Sequence, residues 1–197
     1  MRRTIYTLVA IPLVLAGALA GGSAYAHMVP APCDFITGGG WVIGDSGNFV
    51  NFGAHGGCKH GQFWGHVNVL DHAYTPPGHL RSTSITGYLM DTNPAYPHAR
   101  EICGEGVVEL NGSTSTVRFR VRMEDNGEPG GLDRFGLRVR YEDGSGEYVL
   151  STRELGPPGA TGGGGNIQLH KENKSTTGPD PAPSEATMCG TLTSPGP

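Results

Sequence analysis

Several short runs between Asp34 and His170 have the alternating apolar and polar positions of strands, and no window carries convincing three-to-four spacing of an amphipathic helix. The pattern is sharpest from Thr116 to Met123, where Val117, Phe119, Val121 and Met123 interleave with Arg118, Arg120 and Arg122. It predicts a strand with its apolar face buried and its arginine face in water. Arg134 to Tyr141 repeats the pattern, with Phe135, Leu137, Val139 and Tyr141 set against Arg138 and Arg140. The turn-forming residues Glu124 to Asp133 between these runs make an antiparallel hairpin of the two. Arg81 to Met90 places Ser82, Ser84, Thr86 and Tyr88 on one face and Thr83, Ile85, Gly87 and Leu89 on the other, of which only the second has the apolar content to face inward.

Asn48 to Ala54 and Gln62 to Asp71 read as strands separated by the polar turn His55 to Gly61, and Glu147 to Ser151 and Asn166 to His170 supply the last two. Asp34 to Thr37 and Trp41 to Ile43 read as short strands interrupted by Gly38-Gly39-Gly40. Strands at intervals of roughly 8–12 residues predict one all-β domain, an antiparallel β-sandwich or barrel.

The flanks behave differently. Arg2 and Arg3, the apolar run Leu8 to Ala20 and the small-residue site Ala24-Tyr25-Ala26 have the form of a secretory signal peptide over residues 1–26, too short for a membrane span. Residues 27–33, rich in proline, are expected to form an extended lead-in, 34–171 the all-β domain, and 172–197 a tail of Pro, Ser, Thr and Gly that cannot fold alone. No other stretch reaches the roughly 18 apolar residues of a membrane helix, so the expectation is a secreted product without a membrane span.

Composition narrows the partners. With 33 glycines and 15 prolines among 197 residues, turns punctuate the apolar runs. The formal net charge of −4 becomes about −6 when Arg2 and Arg3 leave with the signal, which argues against nucleic acid or an anionic membrane. All four cysteines, Cys33, Cys58, Cys103 and Cys189, lie in the exported part, and an even count in an oxidising compartment predicts two disulfides. Three connectivities are open. Cys33 with Cys58 is preferred because both flank the first strands, and the remaining bridge would then pin the tail. A zinc site needs a closely spaced cysteine pair, and the sequence has none.

Five motifs in a fixed order extend the reading: Ile36-Thr37-Gly38-Gly39-Gly40-Trp41, Asn51-Phe52-Gly53, Gly65-His66-Val67-Asn68-Val69-Leu70-Asp71-His72, Asp125-Asn126-Gly127-Glu128-Pro129-Gly130 with Asp133-Arg134-Phe135, and Gly164-Gly165-Asn166-Ile167-Gln168-Leu169-His170. The series resembles the post-COAP domain, a module named for its place after choice-of-anchor domains in secreted microbial proteins. The resemblance spans Ile36 to His170 and implies a secreted all-β module without an agreed catalytic centre. This chain carries one copy of the series.

Candidate chemistry is sparse. Asp125, Glu128 and Asp133, with Asn126 on a flexible turn, offer the hard oxygen ligands that Ca²⁺ takes, although not at EF-hand spacing. The competing reading is a turn whose residues serve backbone geometry. His66 and His72 invite a transition-metal reading, yet a strand repeat near 3.3 Å sets them roughly 20 Å apart, so a further histidine such as His55 or His170 is required. Cleavage after Ala26 would make His27 the first residue, able to chelate copper through amine and imidazole together. No Gly-x-Ser-x-Gly elbow marks a nucleophile. Trp41, Phe63, Trp64 and Tyr74 would form a sugar platform if exposed, with core packing the default for such residues. The sequence therefore points to a secreted non-catalytic extracellular binding or structural module, with an extracellular protein or a glycan as candidate partner and calcium as its candidate stabiliser. The alternative is a secreted copper- or zinc-dependent enzyme using the histidines.

Overall fold

The computed structural model describes residues 25–128, 130–157 and 164–196. Apart from Tyr25 and Ala26, the segment expected to be a signal peptide lies outside them. Ten strands and one short helix follow in order: β1 His27–Met28, β2 Phe35–Ile43, β3 Phe49–Lys59, β4 Gln62–Asp71, β5 Gly78–Asp91, β6 Ala99–Leu110, β7 Ser113–Glu124, β8 Arg134–Tyr141, β9 Glu147–Glu154, β10 Gly165–His170 and α1 Glu185–Cys189. Nine strands form one antiparallel sheet in the order β10-β2-β3-β4-β5-β6-β7-β8-β9, and β1 pairs separately with β5. The sheet curls until its ends meet. Gly156, just beyond β9, bridges Val42, with Gly156 N–H donating to Trp41 O at 2.8 Å and Trp41 N–H to Gly164 O at 2.7 Å.

Curling gives the sheet an inside. Ile36, Val50, Phe52, Val67, Ile102, Phe119, Val121, Met123, Phe135 and Leu137 fill it, and the rings of Phe52 and Phe135, from strands far apart in the sheet, stack with centroids 3.9 Å apart. The expected hairpin of alternating strands is β7 and β8, paired from Val117 with Tyr141 to Glu124 with Arg134.

Several expectations need correction. The two short runs split by Gly38-Gly39-Gly40 are one strand, β2. The glycines are there for close approach: a Cβ at Gly40 would fall 2.1 Å from Gly164 O, and one at Gly38 2.7 Å from the Ile167 side chain. The turn expected from His55 to Gly61 shrinks to the sharp reversal at His60 and Gly61, and β3 runs on to Lys59. Strand β6 has no counterpart in the sequence reading, because Gly104 and Gly106 occupy inward positions where large residues would have signalled alternation. A Cβ at Gly104 would sit 2.5 Å from the Phe119 ring. In β5, irregularities at Ser82/Ser84 and Ile85/Gly87 shift the register, so Tyr88 points inward and is fully buried.

The largest correction concerns the arginine face of β7 and the tail. Arg120 and Arg122 are each 1 % exposed, not in water. The tail that composition assigns to a loose end lies across Arg120 through Glu185 and Leu192, and the Arg122 guanidinium lies over the Tyr96 ring. The tail first caps the β3–β4 turn, where His60 and Gly61 N–H donate to Ser175 and Thr177 O. It then forms α1, capped by the Ser184 side chain, and buries Met188 and Leu192. Met188 packs onto Gly87, where a Cβ would come within 2.4 Å of it. Two disulfides are present, Cys33–Cys58 and Cys103–Cys189. The second closes a separation of 86 residues, which in the chain-entropy picture stabilises the fold by roughly 4–5 kcal/mol. Too poor in apolar residues to fold alone, the tail is ordered by what it covers and by this bridge. The lead-in is also anchored, since β1 pairs with β5 and Val29 is buried.

Candidate functional site

Because the sheet is a single layer over much of its area, its outer surface is either covered by the tail or open. The open part is built by β10, β2, β3 and β4. Registered pairing carries Gln168, Thr37, His55 and His66 across neighbouring strands in one row, and His170, Phe35, Gly57 and Trp64 in the next. Phe35 stacks on His170 with ring centroids 4.4 Å apart, and Trp64 lies 6.0 Å from Phe35 and 5.4 Å from His55. His55 and His66, directly opposite each other on β3 and β4, have centroids 6.2 Å apart. A shallow depression floored by Gly38, Gly53 and Ala54 runs between Thr37, His55, Trp64, His66 and Asn68.

Side-chain hydrogen bonds hold this surface in place. Thr37 Oγ1 and His170 Nε2 are 2.9 Å apart, Ser82 Oγ and His66 Nδ1 3.0 Å, and His79 Nε2 and Asn68 Oδ1 2.5 Å. Ser82 Oγ also accepts from Val67 N–H. The indole Nε1 of Trp64 is covered and has no hydrogen-bond partner, so what the indole offers outward is ring carbon. Burial first, and the neighbouring His66 second, hold His55 below the ordinary histidine range. Trp64 is thus on the open face, while Trp41 packs edge-on against Phe49 at the far end of β2.

The carboxylates proposed for calcium do something specific. Asp133, fully buried, accepts from Asn126 N–H through Oδ1 at 2.8 Å and from Ile167 N–H through Oδ2 at 2.7 Å. Asp125 accepts from Gly127 N–H at 3.1 Å and from Leu169 N–H at 2.8 Å. Glu128 accepts from the Asn166 side-chain amide. Ile167 and Leu169 are alternate residues of β10, a strand paired on one side only. The loop therefore supplies, with side chains, acceptors that a neighbouring strand would otherwise provide. Burial keeps the Asp133 carboxyl above its usual range despite these donors.

His27 lies elsewhere, under the tail. Its Nε2 is 3.4 Å from Glu101 and its Nδ1 3.6 Å from Glu185. Glu101, wholly buried, accepts from Arg120 Nε at 2.5 Å, from Arg122 Nη1 at 3.3 Å and from Ser194 Oγ at 2.5 Å. Arg122 continues to Glu124 and Asp91, and Arg120 to Glu185 and Leu192 O. Burial alone would raise the Glu101 carboxyl, but His27 and the Arg120 charge outweigh it and hold it at about 2. Contact with Glu101 raises His27, against the opposing effect of burial. The neighbours of His27 are carboxylates and arginines, not a second histidine.

His66, His72 and His27 are thus not brought together: His66 faces His55, His72 follows β4 in a turn, and His27 belongs to the buried network. Among the described residues no group of three or more His, Cys, Asp or Glu is placed to hold a metal ion. No helix among them is long and apolar enough to cross a membrane. The half-open depression at the Tyr74, Tyr141 and Tyr148 end of the barrel holds about 50 Å³, well below the roughly 300–1,000 Å³ of a small-molecule pocket. The sequence offers His55 as one candidate partner of His66 without placing it, and it gives no sign of the stacking of Phe35 on His170, because each partner comes from a different strand and only the register unites them. Sequence reasoning missed the ion network for the same reason, since its tail residues are 60 or more positions from the arginines they meet. No protein-family model, curated protein or solved structure matches the chain.

Proposed function

We propose that this protein is a secreted, non-catalytic extracellular binding module whose ligand is a glycan, held on the open face of β10, β2, β3 and β4. The observation that carries the reading is the placement of Trp64, Phe35, His55 and His170 beside Thr37, Asn68 and Gln168 on an outward-facing, glycine-floored sheet surface. A fold with an already filled interior has no packing reason to keep these rings outside. Aromatic faces receive the C–H faces of sugar rings, while hydroxyl, amide and imidazole groups satisfy sugar hydroxyls. No carboxylate, lysine or arginine lines the depression, whose titratable groups are the imidazoles of His55 and His66, which suits a neutral ligand. Two disulfides and the absence of a membrane-crossing helix among the described residues accord with an exported protein. The post-COAP resemblance supports the same reading.

Retention of the purified protein on insoluble neutral polysaccharides, followed by calorimetry with their soluble oligomers, tests it. Binding that falls at least tenfold in Trp64→Ala, with the melting temperature preserved, is the expected result. Equal binding by Trp64→Ala and the parent protein, or no retention on any polysaccharide, overturns it.

A further inference from the structure

We propose that His55 and His66 form a two-histidine site for a borderline divalent transition-metal cation, Zn²⁺ or its neighbours, on the outer surface of β3 and β4. Register is the first support. The two residues are direct cross-strand partners, so their side chains leave the same face from backbones that the sheet holds rigid. Cβ atoms of such partners lie about 4.5–5.5 Å apart, which preorganises two imidazoles without ordering a loop.

Reach is the second. Two imidazoles bound to one tetrahedral zinc at about 2.0–2.1 Å would hold their ring centroids roughly 5–5.5 Å apart. The observed separation is 6.2 Å with the rings inclined at 43°. The difference is within side-chain rotation, and His66 is exposed enough to turn.

The third support is the group behind His66. Its Nδ1 lies 3.0 Å from Ser82 Oγ, an oxygen that also accepts from Val67 N–H. In the tautomer whose Nδ1–H donates to that oxygen, the Ser82 hydroxyl proton turns outward and the lone pair stands on Nε2, the nitrogen away from Ser82. Metal-bound histidines are oriented in this way, with the second ring nitrogen donating to a neighbour. Two protein ligands leave positions open for water.

Calorimetric titration of the disulfide-bonded protein with ZnCl₂ at neutral pH tests the proposal, together with imidazole NMR signals assigned by single His→Gln changes. One site with a dissociation constant below about 100 µM, weakened at least tenfold in both His66→Gln and His55→Gln and unchanged in His72→Gln, is the expected result. Zinc-dependent shifts confined to the His55 and His66 rings of the unaltered protein would support it even if one variant folds poorly. Absence of saturable binding, shifts centred on His27, or full affinity in His66→Gln would each overturn it. Glycan binding is not required for any of these readouts, so the two proposals stand or fall separately.

Discussion

The buried carboxylate of Asp133 receives the backbone N–H of Ile167 at 2.7 Å, across 34 positions of sequence. A loop side chain thereby does the work of a strand, closing the unpaired side of β10 with Asp125 performing the same task for Leu169.

Asp133→Ala should therefore cost about 1–3 kcal/mol, because the covered N–H of Ile167 loses its acceptor at roughly that cost while the N–H of the exposed Asn126 turns to water. Asp133→Asn, which keeps one acceptor oxygen, should lose less. Urea denaturation of both variants checks the order. If Asp133→Ala matches the parent protein, the contact is incidental.

Arg118 and Arg120 sit two residues apart on the same face of β7, yet one side chain is 40 % exposed and the other 1 %. Arg120→Ala leaves Glu101 buried with part of its charge uncompensated and should cost about 3–5 kcal/mol. Arg118→Ala removes only screened contacts to Glu105 and Glu142 and should cost less than about 1 kcal/mol. Chemical denaturation of the pair compares burial at constant side-chain chemistry, and equal losses would count against the covered network.

The same network sets a pH optimum. Glu101 titrates at about 2 in the folded protein against 4.5 ordinarily, so its contribution is complete above about 4.5 and fades as pH falls toward 2. His27 is raised from 6.5, so its contribution is complete below about 6.5 and is lost as pH rises through the elevated value. Thermal stability should peak between these limits. His27→Gln should flatten the alkaline side of the profile and Glu101→Gln the acid side, as read by melting temperature at constant ionic strength. A profile with the same alkaline slope in His27→Gln contradicts the assignment.

Removing the bridge by Cys103→Ser with Cys189→Ser should lower stability by roughly 4–5 kcal/mol and make residues beyond 171 the first site of limited proteolysis. Mass spectrometry of the digest identifies the cut. Cleavage that starts elsewhere would mean the tail holds without its cross-link.

Legibility in the sequence followed side-chain size. Strands β7 and β8 announce themselves because every inward position carries Val, Phe, Leu, Met or Tyr. Strand β6 and the middle of β2 do not, because glycine at inward positions reports a neighbour's closeness and leaves no hydrophobic signal. The arginines of β7 were assigned to solvent since nothing local distinguishes Arg120 from Arg118. Only the tail, fixed through Cys189 and Glu185, separates them. The motif around Asp125 was visible as a carboxylate cluster, but its purpose depends on the N–H groups of a strand placed by the fold. Trp64 was visible as an aromatic, and its position on the open face rests on strand parity that the glycines of β3 and β4 obscure.

The covering of Arg120 by Glu185 and Leu192 also ties the completeness of the molecule to the end of its chain. Those residues follow every strand they cover, so a molecule that lacks them leaves Glu101 and Arg120 open to water and Cys103 without its partner. A chain cut short before Glu185 would therefore carry an unpaired cysteine and an open charged surface, two features that set an unfinished molecule apart from a finished one.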